Sequence, residues 1–374
     1  MTFTAALTVL FLVAWVYQVA VYSYFGYQLL RYPLSKGNGS QDQSAEGVSI
    51  IVCAHNERTN LSVLLPILLS QRYAPYEVIV ADDASEDGTQ QMIAEQQRRH
   101  PNLRIVRIEQ RPVDMQSKKY ALTQAIRSAL YDRLLLTDAD CRPASDTWLS
   151  QMVEPLVGAT GFVLGYSPYF KHPGWLNAFI RYETLHTGML YTAAALAGHP
   201  YMSVGRNLAY RRLLFVQQRG FDRHKSVVGG DDDLWVNQAA DQHNTTVVLA
   251  KSALVYSLPK TDLKSYLRQK IRHLSVGRHY RIRDKLWLGL LSLSTVVVWL
   301  VGGLLMFLCN KCMVVATLFL LRWFILAAVF SIACRRLHDP INLRWLPILD
   351  FLHVIYYGVV GTLAFSTKHI RWKN

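Results

Sequence analysis

Acidic side chains in the middle of the chain come in three clusters whose spacing is suited to phosphate and metal-ion chemistry. They are Asp82 with Asp83, Asp138 with Asp140, and Asp231 with Asp232 and Asp233. Two carboxylates one residue apart can hold Mg²⁺ or Mn²⁺, which prefer oxygen ligands. A cation held in this way neutralises a departing diphosphate without a proton. Adjacent carboxylates also raise one another's pKa, which suits a general base. A plain acidic turn explains any one cluster taken alone.

Short apolar runs precede the first two clusters and predict the strands that must position them. Val48–Ala54 is typical of a buried parallel strand, and Glu77–Ala81, Leu103–Ile108 and Arg133–Thr137 are similar. Helical periodicity over Leu61–Leu69 alternates with these runs, which predicts an α/β fold with a doubly wound sheet. Ligands bind such sheets at the carboxyl ends of the strands, so these clusters are expected at one edge.

Apolar runs at both ends of the chain predict transmembrane helices. Residues 5–30 form a retained anchor without a basic leader, and three runs follow the soluble region at Trp287–Cys309, Met313–Cys334 and Trp345–Phe365. The predicted organisation is an anchor (1–34), a linker (35–47), a catalytic domain (48–260), an interfacial helix (261–286) and C-terminal transmembrane segments (287–374). Asp350 and His353 interrupt the last run, so it is either re-entrant or directs its acid into a polar groove.

The formal charge of +14 reflects lysines and arginines beside the apolar runs, where anionic lipid headgroups are the natural partners. No nucleic-acid-binding motif accompanies that charge, so nucleic acid is not an expected partner. The positive-inside rule predicts that the catalytic domain lies in the cytoplasm. The expected location is a bacterial inner membrane. The side on which the basic tail Thr367–Asn374 lies stays undecided. Five scattered cysteines predict a reducing compartment, and the Cys309/Cys312 pair is interpreted as incidental.

Five further motifs, read together with the acidic clusters, resemble those of membrane-integrated family 2 glycosyltransferases with a GT-A fold. This group includes ceramide glucosyltransferases and polysaccharide synthase subunits. The matching segments are His55-Asn56-Glu57, Asp82 to Thr89, Lys118 to Thr123, Gly205 to Arg211, and Gln269 with Arg272. The resemblance implies a GT-A mixed sheet flanked by transmembrane helices and interfacial amphipathic helices.

The resemblance also implies roles for individual residues. Ala54, Glu57, Asp82 and Asp83 are expected to line the nucleotide pocket, with Lys118 near the base or the diphosphate. Asp140 is the expected principal ligand of Mg²⁺ or Mn²⁺, with Asp138 binding the metal or the nucleotide. Asp232 is the expected general base, and Asp231 and Asp233 are its register alternatives. Arg272, with Gln269, is expected to pair with the leaving diphosphate. Gly205, Asn207, Asp231 and His273 are the candidate acceptor residues.

His273 stands where polymer-forming family members carry a tryptophan that stacks on the acceptor sugar. Its segment, Leu263–Lys285, is predicted to be a basic amphipathic helix in the headgroup region. The apolar segment Pro173–Gly198 is predicted either as a second interfacial helix or as ordinary core packing.

The predicted function is inverting, metal-dependent transfer of a sugar from a UDP- or GDP-sugar to a lipid or lipid-linked acceptor. A processive polysaccharide synthase is the first alternative, and the absence of the tryptophan argues against it. A non-enzymatic alternative is an inactive nucleotide-sugar-binding membrane subunit, which intact acidic motifs disfavour. A transporter is disfavoured because related halves with broken helices are not evident.

Overall fold

The computed structural model describes residues 3–33, 46–308 and 312–366. These residues form two compact units. The helical unit contains Pro173–Ala193 and the described parts of Met1–Tyr32 and Thr261–Ile370. The α/β unit contains Ala194–Lys260 and the described part of Pro33–His172. Most of the predicted linker, the basic tail and Cys309 lie outside the described residues.

Strands and short helices alternate along the α/β unit. Its strands are β1 Val48–Ala54, β2 Tyr76–Asp83, β3 Leu103–Ile108, β4 Arg133–Asp138, β5 Cys141–Pro143, β6 Phe162–Gly165, β7 Leu208–Arg211, β8 Thr245–Val248 and β9 Val255–Ser257. Its helices are α2 Arg58–Leu69, α3 Thr89–Gln97, α4 Ser117–Ser128, α5 Trp148–Val153, α7 Arg212–Gln217 and α8 Asp233–Ala239.

Within the described residues, seven strands form one sheet in the order β3-β2-β1-β4-β7-β6-β8. The first four run parallel, β7 is antiparallel to both β4 and β6, and β8 is parallel to β6. A small second sheet pairs β5 with β9. The predicted mixed, doubly wound α/β sheet is therefore confirmed.

The register of the central strands explains how distant acids share one edge of the sheet. Ala54 of β1 lies opposite Asp82 of β2, and Cys53 of β1 lies opposite Asp138 of β4. The three strands therefore end side by side, as parallel strands must when their registers agree. β2 is longer than predicted and includes both acids of the first cluster.

Apolar burial on both faces holds this edge rigid. β1 has six of its seven residues buried, because helices cover both faces of a parallel sheet. α2 contributes Leu61, Leu64, Leu65 and Leu68 to the same core, each without exposed surface. Side chains at the ends of these strands are thus anchored to a close-packed interior.

Among the described residues, four helical segments are long and apolar enough to cross a membrane, which agrees with the predicted membrane integration. The helical unit contains α1 Phe3–Arg31, most of α6 Trp175–Leu196, α9 Leu263–Val276, α10 Ile282–Leu308, α11 Cys312–Arg336, α12 Leu346–Tyr356 and α13 Thr362–Ser366. A π-helical turn, Tyr357–Gly361, joins α12 to α13. The last span is thus helical over Leu343–Ser366.

Asp350, which interrupts the last apolar run, faces a cation inside the helical unit. Arg322 of α11 is 1% exposed and donates to both carboxylate oxygens, at 2.5 and 3.1 Å. Trp299 of α10 donates to Asp350 at 2.9 Å, and Gln18 of α1 accepts from Arg322 at 2.7 Å. The sequence left two interpretations of this interruption, a re-entrant segment or an acid that faces polar groups. The observed contacts of Asp350 agree with the second.

Two predicted boundaries are wrong. The predicted interfacial helix Leu263–Lys285 ends at Val276, and a 3₁₀ turn over Gly277–His279 separates it from α10. The predicted continuous domain 48–260 is interrupted because Pro173–Ala193 belongs to the helical unit. There α6 buries Phe179, Leu185 and Met189, and the Tyr182 ring stacks on that of Phe330 at 5.3 Å. Core packing is therefore the better description of that segment.

Candidate active site

Asp82 lies near the end of β2, at the edge of the sheet where the parallel strands end. It has no exposed surface; its Oδ2 accepts from Gln90 Nε2 at 2.6 Å, whereas its Oδ1 has no hydrogen-bond partner among the described residues. A buried carboxylate oxygen without a donor is costly. The orphaned oxygen therefore fits a ligand that brings its own N–H group, such as a nucleobase.

Two turns beside Asp82 are cross-linked by their side chains. Asn56 and Ala84 both adopt left-handed backbone conformations, with φ of 56° and 51°. The Asn56 amide N–H donates to Ser85 Oγ, and Asn56 Oδ1 accepts from the Glu86 amide, each at 2.8 Å. This reciprocal pairing joins the His55-Asn56-Glu57 turn to the turn after Asp83, so the two motifs are held together as one unit.

The remaining predicted nucleotide residues lie at the same edge. Ala54 ends β1 with 1% of its surface exposed, so it is packed into this edge of the sheet. Glu57 accepts from Asn60 Nδ2 at 2.7 Å. The Asp83 carbonyl is 2.5 Å from His55 Nδ1, which orients that imidazole beside the end of β2.

Asp138 and Asp140 form, with Cys141, a cluster that can hold a metal ion. A carboxylate oxygen from each aspartate and Cys141 Sγ lie within 4.8 Å of one another. Burial, followed by the nearby Asp138 carboxylate, raises the pKa of Asp140. Two close oxygen donors whose charges repel fit a divalent cation such as Mg²⁺ or Mn²⁺, which would relieve that repulsion.

Lys118 links this acidic pair to the third acidic cluster. Its Nζ donates to Asp138 Oδ1 at 3.1 Å and to Asp231 Oδ2 at 2.8 Å. Burial opposes the charge on Lys118, but Asp138 and then Asp231 raise its pKa well above the ordinary value. Lys118 therefore stays protonated and joins residues 93 positions apart in sequence.

The three consecutive aspartates have different environments. Asp231 and Asp233 are buried, and only Asp232 between them is partly exposed. Asp232 caps α8 by accepting from the Asp233 amide at 2.8 Å, and its other oxygen accepts from the Gly205 amide at 2.6 Å. Both carboxylate oxygens are therefore fixed by backbone groups, and Asp232 as a residue is partly exposed.

The pKa values of these acids diverge. Burial, followed by the neighbouring Asp231 charge, raises the pKa of Asp232. Burial acts in the same direction on Asp231, but the Lys118 ammonium outweighs it, so the pKa of Asp231 is lowered. A base needs an available, relatively basic carboxylate. Asp232 meets that requirement and Asp231 does not.

Gly205 and Asn207, two of the predicted acceptor residues, contact other parts of the protein in ways that support the fold. A Cβ added at Gly205 would lie 3.1 Å from Asp232 Oδ2, so the glycine permits the close approach of that carboxylate. Asn207 has no exposed surface; it donates to the carbonyls of Tyr166 and Ala253 and accepts from Trp148 Nε1. The Asn207 side chain therefore braces the fold and is not available to a substrate.

Gln269, Arg272 and His273 lie on α9 of the helical unit. Gln269 and Arg272 are partly exposed and His273 is exposed. Their neighbour Lys270 is buried in an ion pair with Glu183 of α6. This pair fixes the rotation of α9, and the predicted roles of these three residues remain predictions.

Two residues of the α/β unit escaped sequence reasoning. Cys141 follows directly after Asp140, but the scattered spacing of the cysteines indicates no role for it. Arg206 lies inside the Gly205–Arg211 motif, where its guanidinium is held by Ser167 and covers the Tyr169 ring at 4.8 Å from the centroid. Adjacency to a motif was the available signal in both cases, but burial and partners depend on the fold.

Comparison with solved structures places the chain in the GT-A glycosyltransferase fold class. The mannosyltransferase PcManGT from Pyrobaculum calidifontis, solved with GDP-Man and Mn²⁺, superposes with a TM-score of 0.58 at 20% identity, covering 90% of this chain and 99% of that one. At that identity the similarity establishes the fold alone.

The particular family follows from sequence. The family model described as "Glycosyltransferase like family 2" matches residues 45–275, and the chain belongs to this family. Membership confirms the family and the enzyme class predicted from the motifs.

Characterised relatives match only parts of the chain. Glycosyltransferase AglE of Haloferax volcanii is 29% identical over 203 residues, 52% of this chain and 61% of that protein. A poly-β-1,6-N-acetyl-D-glucosamine synthase of Staphylococcus epidermidis is 31% identical over 101 residues, 27% of this chain and 23% of that protein. The chain thus spans less than two thirds of either relative.

Proposed function

We propose that this protein transfers a sugar, with inversion, from a nucleotide-diphosphate sugar to a lipid or lipid-linked acceptor at the cytoplasmic face of a membrane. The observation that carries the proposal is the placement of the acidic clusters, two at the ends of the strands on either side of β1 and the third joined to Asp138 by Lys118. Each cluster has a different chemical environment, which suits a separate task in one reaction.

The donor would bind across the ends of β1, β2 and β4. The orphaned Oδ1 of Asp82 would accept an N–H of the base, and Asp138 with Asp140 would hold Mg²⁺ or Mn²⁺. When bound, the cation supplies Lewis-acid neutralisation of the diphosphate. Lys118, already between Asp138 and Asp231, can exchange one carboxylate partner for a phosphate oxygen without losing its charge.

Asp232 would remove the proton from the acceptor hydroxyl. Inversion requires one base and a stabilised leaving group, and the raised pKa of Asp232 suits the first requirement. Its fixed oxygens keep it oriented before the acceptor arrives, which lowers the entropic cost of reaching the reactive geometry. Arg272 is the proposed additional partner of the departing diphosphate.

Transfer of a single sugar is favoured over polymer extension because His273 is exposed on α9 where a stacking tryptophan is expected in polymerising members. The relatives named as polysaccharide synthases keep extension as the competing function. The two functions give different products, so they can be distinguished directly.

The test is incubation of the purified full-length protein with a total lipid extract and a panel of radiolabelled nucleotide sugars. We expect label to enter the organic phase as a lipid carrying one added sugar, identified by mass spectrometry. EDTA should abolish transfer by the wild-type protein, and Mn²⁺ or Mg²⁺ should restore it. Asp140→Ala should be inactive, and added metal should not restore its activity. A ladder of growing oligosaccharides would refute single transfer and favour the polysaccharide-synthase alternative. Full activity in EDTA would refute metal dependence.

A further inference from the structure

The two consecutive lysines at the start of α4, Lys118 and Lys119, have different environments. Lys118 is partly exposed and contacts the acidic clusters, whereas Lys119 is 1% exposed. The Lys119 ammonium donates to the backbone carbonyls of His224 at 2.6 Å and Val227 at 2.9 Å. Neighbouring residues of an α-helix point about 100° apart, so one helix end can present the two lysines in different directions.

The carbonyls that Lys119 binds belong to the segment directly before the acidic cluster. The Gln116 amide donates to the Lys225 carbonyl at 2.9 Å, and Gln116 Nε2 donates to the Ser226 carbonyl at 3.1 Å. Lys225 also forms an ion pair with Asp114, but that pair is at the surface. Lys119 is therefore the buried member of a group of contacts that dock residues 224–227 onto the start of α4.

Two glycines connect the docked segment to the acids. Gly229 and Gly230 have φ of 81° and 76°, a conformation that other residues adopt with strain. The turn they form brings Asp231 to Lys118 and Asp232 to the Gly205 amide. Because glycines impose little stiffness of their own, the position of the acids depends on anchors on both sides of the turn.

Stability alone gives no reason for a lysine at position 119. Burying an ammonium is costly: burial lowers the pKa of Lys119 to about 8, although the charges of the three nearby aspartates, Asp231 first, oppose that shift. Among the described residues no carboxylate forms a direct ion pair with Lys119. A methionine of similar length would fill the same volume without that desolvation cost. What the lysine adds is directional: it holds two specific carbonyls, and thus the path of the backbone leading to the acids.

We propose that Lys119 is a positioning residue for sugar transfer, holding residues 224–227 so that Asp231 and Asp232 occupy their working positions. The proposal rests on the proposed role of Asp232 as the base. Lys119 touches neither substrate nor metal in this scheme. It acts through the loop.

The direct test measures the loop without any substrate. Hydrogen–deuterium exchange over residues 222–232 is compared between the wild-type protein and Lys119→Met. Loss of two charge-assisted hydrogen bonds should raise exchange of this loop by about 10–100-fold, with the amides of β1 and β4 unchanged. Lys225→Met, which removes a surface ion pair on the same segment, is the matched control and should raise exchange by less than about threefold.

Turnover provides the second readout. In Lys119→Met, kcat should fall about 10–100-fold because the base is misplaced, while the dissociation constant of the nucleotide changes less than about threefold. Lys119→Gln, which keeps an N–H donor, should recover part of both losses. Gln116→Ala, at a partly exposed position, should show a smaller loosening of the same loop and covers the case in which Lys119→Met does not fold.

Wild-type loop exchange in Lys119→Met would overturn the proposal, and if that variant does not fold, wild-type loop exchange and kcat in Gln116→Ala would do the same. So would a Lys119→Met protein that keeps its kcat despite a loosened loop. Failure of the proposed function is separately visible: if Asp232→Asn keeps full turnover, Asp232 is not the base, yet the exchange experiment still reports whether Lys119 holds the loop.

Discussion

At the scale of single residues, three adjacent aspartates are distinguished by what touches them. Asp231 is neutralised by an ammonium, Asp233 is buried within the first turn of α8, and Asp232 is partly exposed with a raised pKa. Burial thus alternates along the three residues, and the general-base role of Asp232 stays a prediction.

Asp232→Asn should lower kcat by about two to four orders of magnitude, because the amide cannot accept the acceptor proton. Asparagine has one acceptor oxygen, which can keep the cap of α8 while the bond from the Gly205 amide is lost. The proposed nucleotide-binding residues are not changed, so nucleotide binding measured by calorimetry should be nearly unchanged. Asp222→Asn, an exposed acid before the same loop, is the control and should retain activity. Collapse of nucleotide binding together with turnover would instead assign Asp232 to the donor pocket.

Asp231→Asn tests the electrostatics of the same cluster. Asp232 must be ionised to act, so activity should decline as the pH falls through its raised pKa. Removing the Asp231 charge lowers that pKa, because a like charge disappears while Lys118 remains. The acidic limb of the kcat–pH profile should therefore shift to lower pH, whatever the loss in amplitude. A shift to higher pH, or none, would contradict this account.

At the scale of elements, α9 carries three predicted functional residues and is fixed by a buried ion pair. Lys270 with Glu183 ties α9 to α6, so the partly exposed Arg272, two residues along, has a defined direction. The helix ends at Val276, ahead of the predicted end, because Gly277 opens a 3₁₀ turn before α10 begins.

Arg272→Lys should reduce kcat by roughly 10–100-fold, because a lysine loses the planar pair of donors that meets a diphosphate. Arg268→Lys on the exposed part of the same helix is the matched control and should leave kcat within about twofold. Steady-state kinetics with saturating acceptor separates the two variants. Equal, near-normal rates in both would show that the Gln269–Arg272 match carries no catalytic role.

At the scale of the whole molecule, a buried polar network joins the candidate membrane spans. Arg322 and Asp350 pair between α11 and α12, and Gln18 extends the network to α1 by accepting from Arg322 and donating to Thr295 of α10. Such groups are costly in an apolar interior unless they satisfy one another. The network therefore specifies which spans are neighbours.

Asp350→Ala should destabilise the helical unit by about 3–5 kcal/mol, because it leaves the Arg322 charge buried without its partner. Thermal unfolding in detergent would measure the loss. The double variant Arg322→Met with Asp350→Leu removes both charges and should be markedly more stable than Asp350→Ala. If the double variant were equally unstable, the unpaired charge would not be the cause.

Local sequence patterns are sufficient to predict the period, order and chemical type of the elements. Strand and helix alternation, the apolar spans and the acidic pairs follow from local pattern, because burial on two faces and membrane thickness constrain runs of consecutive residues. Strand β1 and strand β3 begin and end where the apolar runs predicted.

Tertiary structure alone decided what each acid and each lysine touches. The register of β1 with β2 and β4 places Asp82 and Asp138 at one edge, and folding brings Asp231 across to Lys118. No local pattern separates Lys118 from Lys119, or shows that Asn207 is enclosed and that Pro173–Ala193 joins the other unit. Burial and partners arise from contacts between distant parts of the chain, and those contacts set the pKa values on which the chemistry depends.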